Sequence, residues 1–304
     1  MRLEHPFTKP SADAIIRSCD NVDFRVHRAI LSEASPVFEA MFSLPRPQLS
    51  ADDQEHRDGL PVITMTETAA TLDAVLRFCY PMPDPDFASI DALAEVLEAA
   101  RKYAIDVILA HAVRLLRGSF LDENPFAVFG VAYRMQMKEV AMLAARESLK
   151  KKMPEAGVLP VVPAAAFAAL VRWRARCVTT AIKFMHGRTD PIPDLEDVWY
   201  VWEGVQWELC TSCKNLHYEQ NTEIHQDALL QSDFVEDAIA ALAEHPCGAT
   251  LMRCKTVALK VIPDLPCVGC QKEAVLTLHD DILPGLSEAL DLTLEETVPL
   301  NLDF

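Results

Sequence analysis

Long hydrophobic runs are scarce in this 304-residue chain. The longest, Val158 to Val171, is interrupted by Pro160 and Pro163 and falls short of the ~20 apolar residues that a bilayer-spanning helix needs. No membrane segment is expected. Positive charge is also in short supply, with 28 Lys and Arg against 45 Asp and Glu and a formal net charge of -17. Such a surface repels nucleic-acid phosphates and anionic membranes, so neither is an expected partner. There is no G-x-G-x-x-G, no phosphate loop, no H-E-x-x-H and no G-x-S-x-G, and the abundant carboxylates form no recognisable apolar-cleft pattern,. An enzyme is therefore not expected. The opening Met1-Arg-Leu-Glu-His-Pro6 has no secretory apolar region,, which places the protein in the cytoplasm or nucleus. There the nine cysteines are expected as thiols or metal ligands rather than disulfides.

What is present is a core's worth of apolar residues, 50 % of the chain, punctuated by 20 prolines. The stretches Asp13–Ser18 and Phe24–His27 flank Cys19-Asp-Asn-Val22, a hairpin signal with Asp-Asn turn chemistry. A helix is expected from Arg28. Ser35 caps the next one, with Pro36 at its first position and Phe38, Met41 and Phe42 on one face. Leu44 to Gly59 reads as a long loop whose charges stay solvated, and Pro61–Met65 as a third strand. Thr68 caps a helix with Leu72, Val75, Leu76 and Cys79 at i, i+3, i+4, i+7,. It ends at Tyr80-Pro81, because proline cannot continue a helix. Further helices are expected over Ile90–Tyr103, from Asp106 through Leu116, from Asn124-Pro125 through Tyr133, and from Lys138.

The segment Phe24-x-x-His27-Arg28-x-x-Leu31-x-x-x-Ser35-x-x-Phe38-x-x-Met41-Phe42 resembles the core motif of the BTB/POZ domain. Leu72 to Tyr80 and Leu97-Glu-Ala-Ala-Arg-Lys-Tyr103 resemble two of its later helices. The Phe-Cys-Tyr-Pro run is similar to that of fungal BTB proteins. The resemblance covers residues 8–118 and implies an α+β fold, a small sheet flanked by helices. Residues 119–188 are expected to be a helical extension, and 189–304 a small cysteine-containing C-terminal domain.

The resemblance further implies a protein-interaction module that self-associates and recruits partners, with substrate adaptors of cullin ubiquitin ligases among its relatives. Asp13 and Arg28 match the acidic and basic residues of the family's homodimer pocket. The alternative for this pair is an intrachain salt bridge orienting the strand-helix turn. His27 is expected to pack and hydrogen-bond in the core. The family's cullin-docking Glu is missing from Ser43-Leu-Pro-Arg-Pro-Gln48, which weakens the cullin expectation.

After Pro163 a helix of good formers runs to about Met185, with Phe167, Leu170 and Val171 as its apolar side,. Arg172, Arg176 and Lys183 share a face. They are expected to pair with the protein's own carboxylates, with an acidic partner as the alternative. Beyond it stand two C-x2-C pairs, Cys210-Thr-Ser-Cys213 and Cys267-Val-Gly-Cys270. Two hairpin knuckles of this kind complete a tetrahedral Zn(II) site that is structural, because four thiolates leave no open position for water. Gly269 suits a tight knuckle, and His217, His225, His245, Cys247 and Cys254 are substitute ligands. The alternatives are buried small hydrophobes and a redox pair. The leading function is BTB-mediated association and recruitment. The alternatives are a transcriptional regulator that places the knuckles on DNA and, last, an enzyme.

Overall fold

Two short apolar-rich stretches, Ala-Ile-Ile-Arg and the alternating Asp-Phe-Arg-Val, flank a turn and pair as a hairpin. In the computed structural model, which describes residues 6–43, 56–154, 162–186, 233–254 and 268–302, β1 (Ala14–Arg17) pairs antiparallel with β2 (Asp23–Val26). Asn21 sits at the turn with φ 62, a left-handed conformation that asparagine tolerates. The chain divides into two compact units, Met1–Val140 and Ala141–Phe304. The division falls within the expected extension 119–188 rather than at either end of it.

In the first unit, α1 (Arg28–Ala34) and α2 (Pro36–Ser43) follow the hairpin directly. The buried Ser35 hydroxyl joins them: it accepts the Phe38 N–H at 3.1 Å and donates to the Tyr103 carbonyl at 2.5 Å. A short strand β3 (His56–Arg57) and β4 (Leu60–Thr64) complete a four-stranded sheet in the order β2-β1-β4-β3. β4 lies parallel to β1, with Ile15 opposite Val62 and Ile16 opposite Ile63. A parallel neighbour needs a crossover, and α1 and α2 are part of it.

The expected loop Leu44 to Gly59 thus requires correction at its end. Asp58 and Gly59 both have positive φ, 53 and 76, as the two central residues of a type I′ hairpin turn require. Two of the charges expected to stay solvated are also paired, Arg57 with Asp23 and Asp58 with Arg25. Positions 44–55 lie outside the described residues.

One face of the sheet, with Ala14, Ile16, Phe24 and Val26, enters the unit's hydrophobic core. The other carries Arg17 opposite Asp23 and Ile15 opposite Arg25. The core is closed by α3 (Ala69–Cys79), α4 (Ile90–Tyr103) and α5 (Asp106–Arg117). Thr68 caps α3 by accepting the Thr71 N–H at 3.3 Å, and Ser89 caps α4 by accepting the Ala92 N–H at 3.2 Å. A five-residue helix not expected from the sequence, α6 (Ser119–Glu123), leads to α7 (Pro125–Arg134), where Asn124 accepts the Ala127 N–H at 3.1 Å. α8 (Lys138–Ser148) spans the division between the units.

The regular elements among the second unit's described residues are all helices. α9 (Ala164–His186) packs on α10 (Asp233–Glu244) and on the long α13 (Leu283–Thr297). Against α13 also lies α11 (Gly248–Arg253). Periodicity of four carries the packing: Phe234, Ala238 and Leu242 on α10, and Leu286, Leu290 and Leu294 on α13, are all buried,. At the closest approach a Cβ on Gly248 would lie 2.1 Å from the Ser287 carbonyl oxygen, so only glycine fits there.

α12 (Val268–Thr277) runs into a π-helical turn, Leu278–Ile282, just before Pro284 at the start of α13. Proline lacks the N–H that would continue an α-helix and its ring crowds the preceding turn, and a wider turn accommodates it.

α9 corrects one expectation. Its buried face is Ala166, Leu170, Trp173, Arg174, Cys177, Ala181, Phe184 and Met185, while Val171 is 39 % exposed. The apolar side is centred on Trp173 and Cys177, about a quarter turn from where Phe167 and Val171 would put it.

Candidate interaction surface

α1 starts without help from its own N-cap: His27 makes no side-chain cap hydrogen bond and the first turn has no acid. The missing acceptor comes from the residue before β1. The Asp13 carboxylate accepts the Arg28 backbone N–H at 2.8 Å, which meets an orphan donor and puts negative charge at the positive end of the helix. Asp13 thus meets Arg28 through the main chain, not by the side-chain salt bridge that was the alternative expectation.

The Arg28 side chain goes elsewhere. Its guanidinium carbon lies 5.8 Å from the centroid of the Phe42 ring, a cation–π distance. Its Nε is buried and has no hydrogen-bond partner among the described residues. A buried donor left unmet costs on the order of 1–3 kcal/mol. Asp13 is itself exposed.

The base of this surface is tied together by hydrogen bonds and ring contacts. Tyr80, ending α3, accepts the His27 backbone N–H on its hydroxyl at 2.7 Å, and the His27 ring bonds Ser11 Oγ through Nε2 at 3.1 Å. His27 therefore packs and hydrogen-bonds, but half-buried at the edge of the core rather than within it. Burial raises the Tyr80 pKa, and the nearby Asp13 adds to the effect. Phe7 packs edge-on against Tyr80, with ring centroids 5.3 Å apart. Phe38 stacks on Tyr103 at 4.8 Å. Tyr103 is pushed up to about 12 by burial and by the Glu67 carboxylate its hydroxyl bonds at 2.6 Å. These are packing and hydrogen-bonding roles. None of the groups forms a nucleophile-base pair.

The cysteine pairs lie almost wholly outside the described residues. Cys210, Cys213 and Cys267 lie outside the described residues, as do His217 and His225. Cys270 falls in the first turn of α12, so positions 268–270 are helical where a knuckle turn was expected. Among the described residues no three of His, Cys, Asp and Glu approach closely enough to hold a metal ion. The substitute ligands Cys247 and Cys254 are buried, and burial raises the Cys254 thiol. Burial pushes Cys177 up to about 12. The Cys177 and Cys254 thiols stay protonated and behave as small hydrophobes,.

A cavity of about 430 Å³ opens in the second unit beside Trp173, Leu149 and Leu294. Its charges are engaged with each other: Arg146 with Glu295 at 2.5 Å and Lys150 with Glu147 at 2.7 Å. Asp291 accepts the Gly248 N–H at 2.7 Å. Among the described residues no set of free polar groups converges there on a ligand.

Sequence reasoning passed over Arg174. It is only 6 % exposed and donates to the carbonyls of Ser148, Lys151 (3.0 Å) and Glu244 (3.3 Å). Burial lowers its pKa. The signal was available, since Arg174 stands in the same helical column as Leu170, Cys177 and Ala181.

No curated protein matches the chain. Residues 5–119 match the family model of the BTB/POZ domain, a protein-interaction module. The mixed sheet capped by helices in the first unit is that domain's fold.

Proposed function

We propose that the protein is a BTB-mediated scaffold that pairs with a second copy of itself through the surface around Asp13 and Arg28 and recruits other proteins with the rest of the chain. One observation carries this reading. The Arg28 side chain reaches no carboxylate among the described residues and lies over the Phe42 ring, while the exposed Asp13 carboxylate is held at the Arg28 backbone N–H. A two-fold axis would bring each chain's acid to the other's base, since such an interface uses the same patch twice. The resemblance to a family that commonly homodimerises supports it. Service as a cullin adaptor is a narrower version of the same proposal. Its docking position, Ser43 to Gln48, extends outside the described residues and lacks the family's Glu.

Light scattering on the full chain tests the pairing. The expected mass is twice the 33.8 kDa of one chain. Arg28→Glu is expected to return it to a single chain at the same micromolar concentration, through like-charge repulsion in the shared pocket. Asp13→Asn keeps an acceptor for the Arg28 N–H and removes only the charge, so it is expected to weaken pairing without unfolding α1. A wild-type chain that stays single overturns the proposal.

A further inference from the structure

Between Ala164 and His186, α9 carries Arg172, Arg174, Arg176 and Lys183 and not one Asp or Glu. At about 100° per residue, Arg172, Arg176, Lys183 and His186 fall within about 80° of arc, opposite Leu170, Cys177 and Ala181. All four are exposed, whereas Arg174 turns into the core. The expectation that this stripe pairs with the protein's own carboxylates does not hold among the described residues. Arg172 and Lys183 make no ion pair there, and Arg176 gives one N–H to the Pro299 carbonyl at 2.9 Å.

Elsewhere among the described residues many basic side chains do find a carboxylate, although Arg28, Arg114 and Arg253 do not. Arg77, Arg117, Arg134 and Arg146 each reach a carboxylate, Asp73, Glu139, Glu98 and Glu295. In a chain with 45 acids and 28 bases, counter-charge is abundant, and a helix face that attracts none of it among the described residues stands out.

We propose that this face of α9 binds a short acidic segment of a partner protein. Arg172 to Lys183 spans about 16 Å along the helix, which about five residues of extended chain would cover. Val171, 39 % exposed beside Arg172, offers contact to an apolar side chain of the same ligand. A long polyanion fits less well. Duplex DNA or an anionic bilayer would run past the stripe onto a protein surface whose net charge is -17, where it is repelled. The proposal deepens the recruitment part of the function above and is independent of the self-association part.

The test is fluorescence anisotropy of a labelled peptide rich in glutamate with a single leucine, titrated with the full chain. Saturable binding is expected, weakening as salt rises. Replacing Arg172→Gln together with Lys183→Gln is expected to weaken it on the order of tenfold, and Arg172→Glu with Lys183→Glu more. Both positions are exposed and make no described polar contact, so the fold is retained. The light-scattering mass is expected to match wild type in both variants, which separates this result from failure of self-association. Three results overturn the proposal: no saturable binding by wild type, equal binding by the charge-reversed variant, or tighter binding of duplex DNA or phosphatidylserine vesicles than of the peptide.

Discussion

In Met1–Val140, the half-buried Asp23 and Glu67 are met by opposite charges; in Ala141–Phe304, the most buried charge is met by main-chain carbonyls. The first unit sets Asp23 between Arg17 and Arg57 across the sheet, and Glu67 between Lys102 at 2.7 Å and the Tyr103 hydroxyl at 2.6 Å. Five of its helix starts are also covered by side chains, from Asp13, Ser35, Thr68, Ser89 and Asn124, while α5 and α6 have no such cap. The second unit anchors Arg174 on the carbonyls of Ser148, Lys151 and Glu244 and brings α11 onto α13 at Gly248. The difference follows from fold class. A sheet presents side chains of neighbouring strands directly opposite one another, which favours ion pairs. A helical bundle leaves carbonyls at helix ends, and an arginine, with several donors in one plane, can satisfy more than one of them.

Three measurements bear on this contrast. The largest expected effect is that of Arg174→Ala, which strands buried carbonyls and opens a hole; a loss of about 3 kcal/mol is expected. All four tryptophans of the chain are at position 173 or beyond, so tryptophan fluorescence during urea unfolding reads this unit alone. An unchanged midpoint would mean that the carbonyls find water easily and that the contrast is superficial. Next is Gly248→Ala, expected to cost about 1–3 kcal/mol in the same signal, because the added methyl overpacks the α11–α13 contact. A neutral result would show that α13 can shift away.

The smallest effect is acid-dependent and belongs to the first unit. Burial opposes ionisation of Glu67, but the Lys102 and Tyr103 hydrogen bonds outweigh it and hold its carboxyl below the usual range. The hydrogen bond from Arg17 does the same for Asp23, with Arg57 adding to it. A carboxyl whose folded pKa lies below its unfolded value contributes stability that is fully present above the unfolded value, about 4, and is lost as pH falls through the folded one. Hydrogen exchange read segment by segment is expected to show protection of β4 and α4 falling in that window. Glu67→Gln is expected to flatten the response. If instead the loss appears first in α9 and α13, the charges of the first unit are not what distinguishes it.

Local chemistry made much of this fold legible in advance. Asp-Asn at a turn, Pro36 after Ser35, Thr68 before an apolar period and Asn124-Pro125 each act within a few residues, and each is found where its pattern put it. β3 was missed although Asp58-Gly59 is a hairpin signal, because the surrounding charges read as solvated and only two residues pair on one side. The face of α9 was placed only in part: Leu170 is buried as expected, but Phe167 and Val171 pulled the expected side away from Trp173, whose Nε1–H bonds the Val298 carbonyl at 2.8 Å. The candidate site was half legible. A motif identified Asp13 and Arg28 as a pair, but the way they meet depends on a strand and a helix 15 positions apart in the chain. That the Arg28 Nε is left unmet is a property of packing, which no pattern of letters carries.

The order of the sheet has a consequence in time. β1 and β2 are adjacent in the chain and can close over their turn at once. β4 reaches β1 only after the chain has passed through α1 and α2, so the Ile15–Val62 register has to draw in all of that length before any parallel bond forms. Closing such a span costs entropy in advance of its reward, and pairings of this kind form slowly. Until β4 arrives, one edge of β1 stands open on a nascent molecule, with its N–H and C=O groups exposed to whatever strand comes first. A neighbouring newly made chain is one such strand.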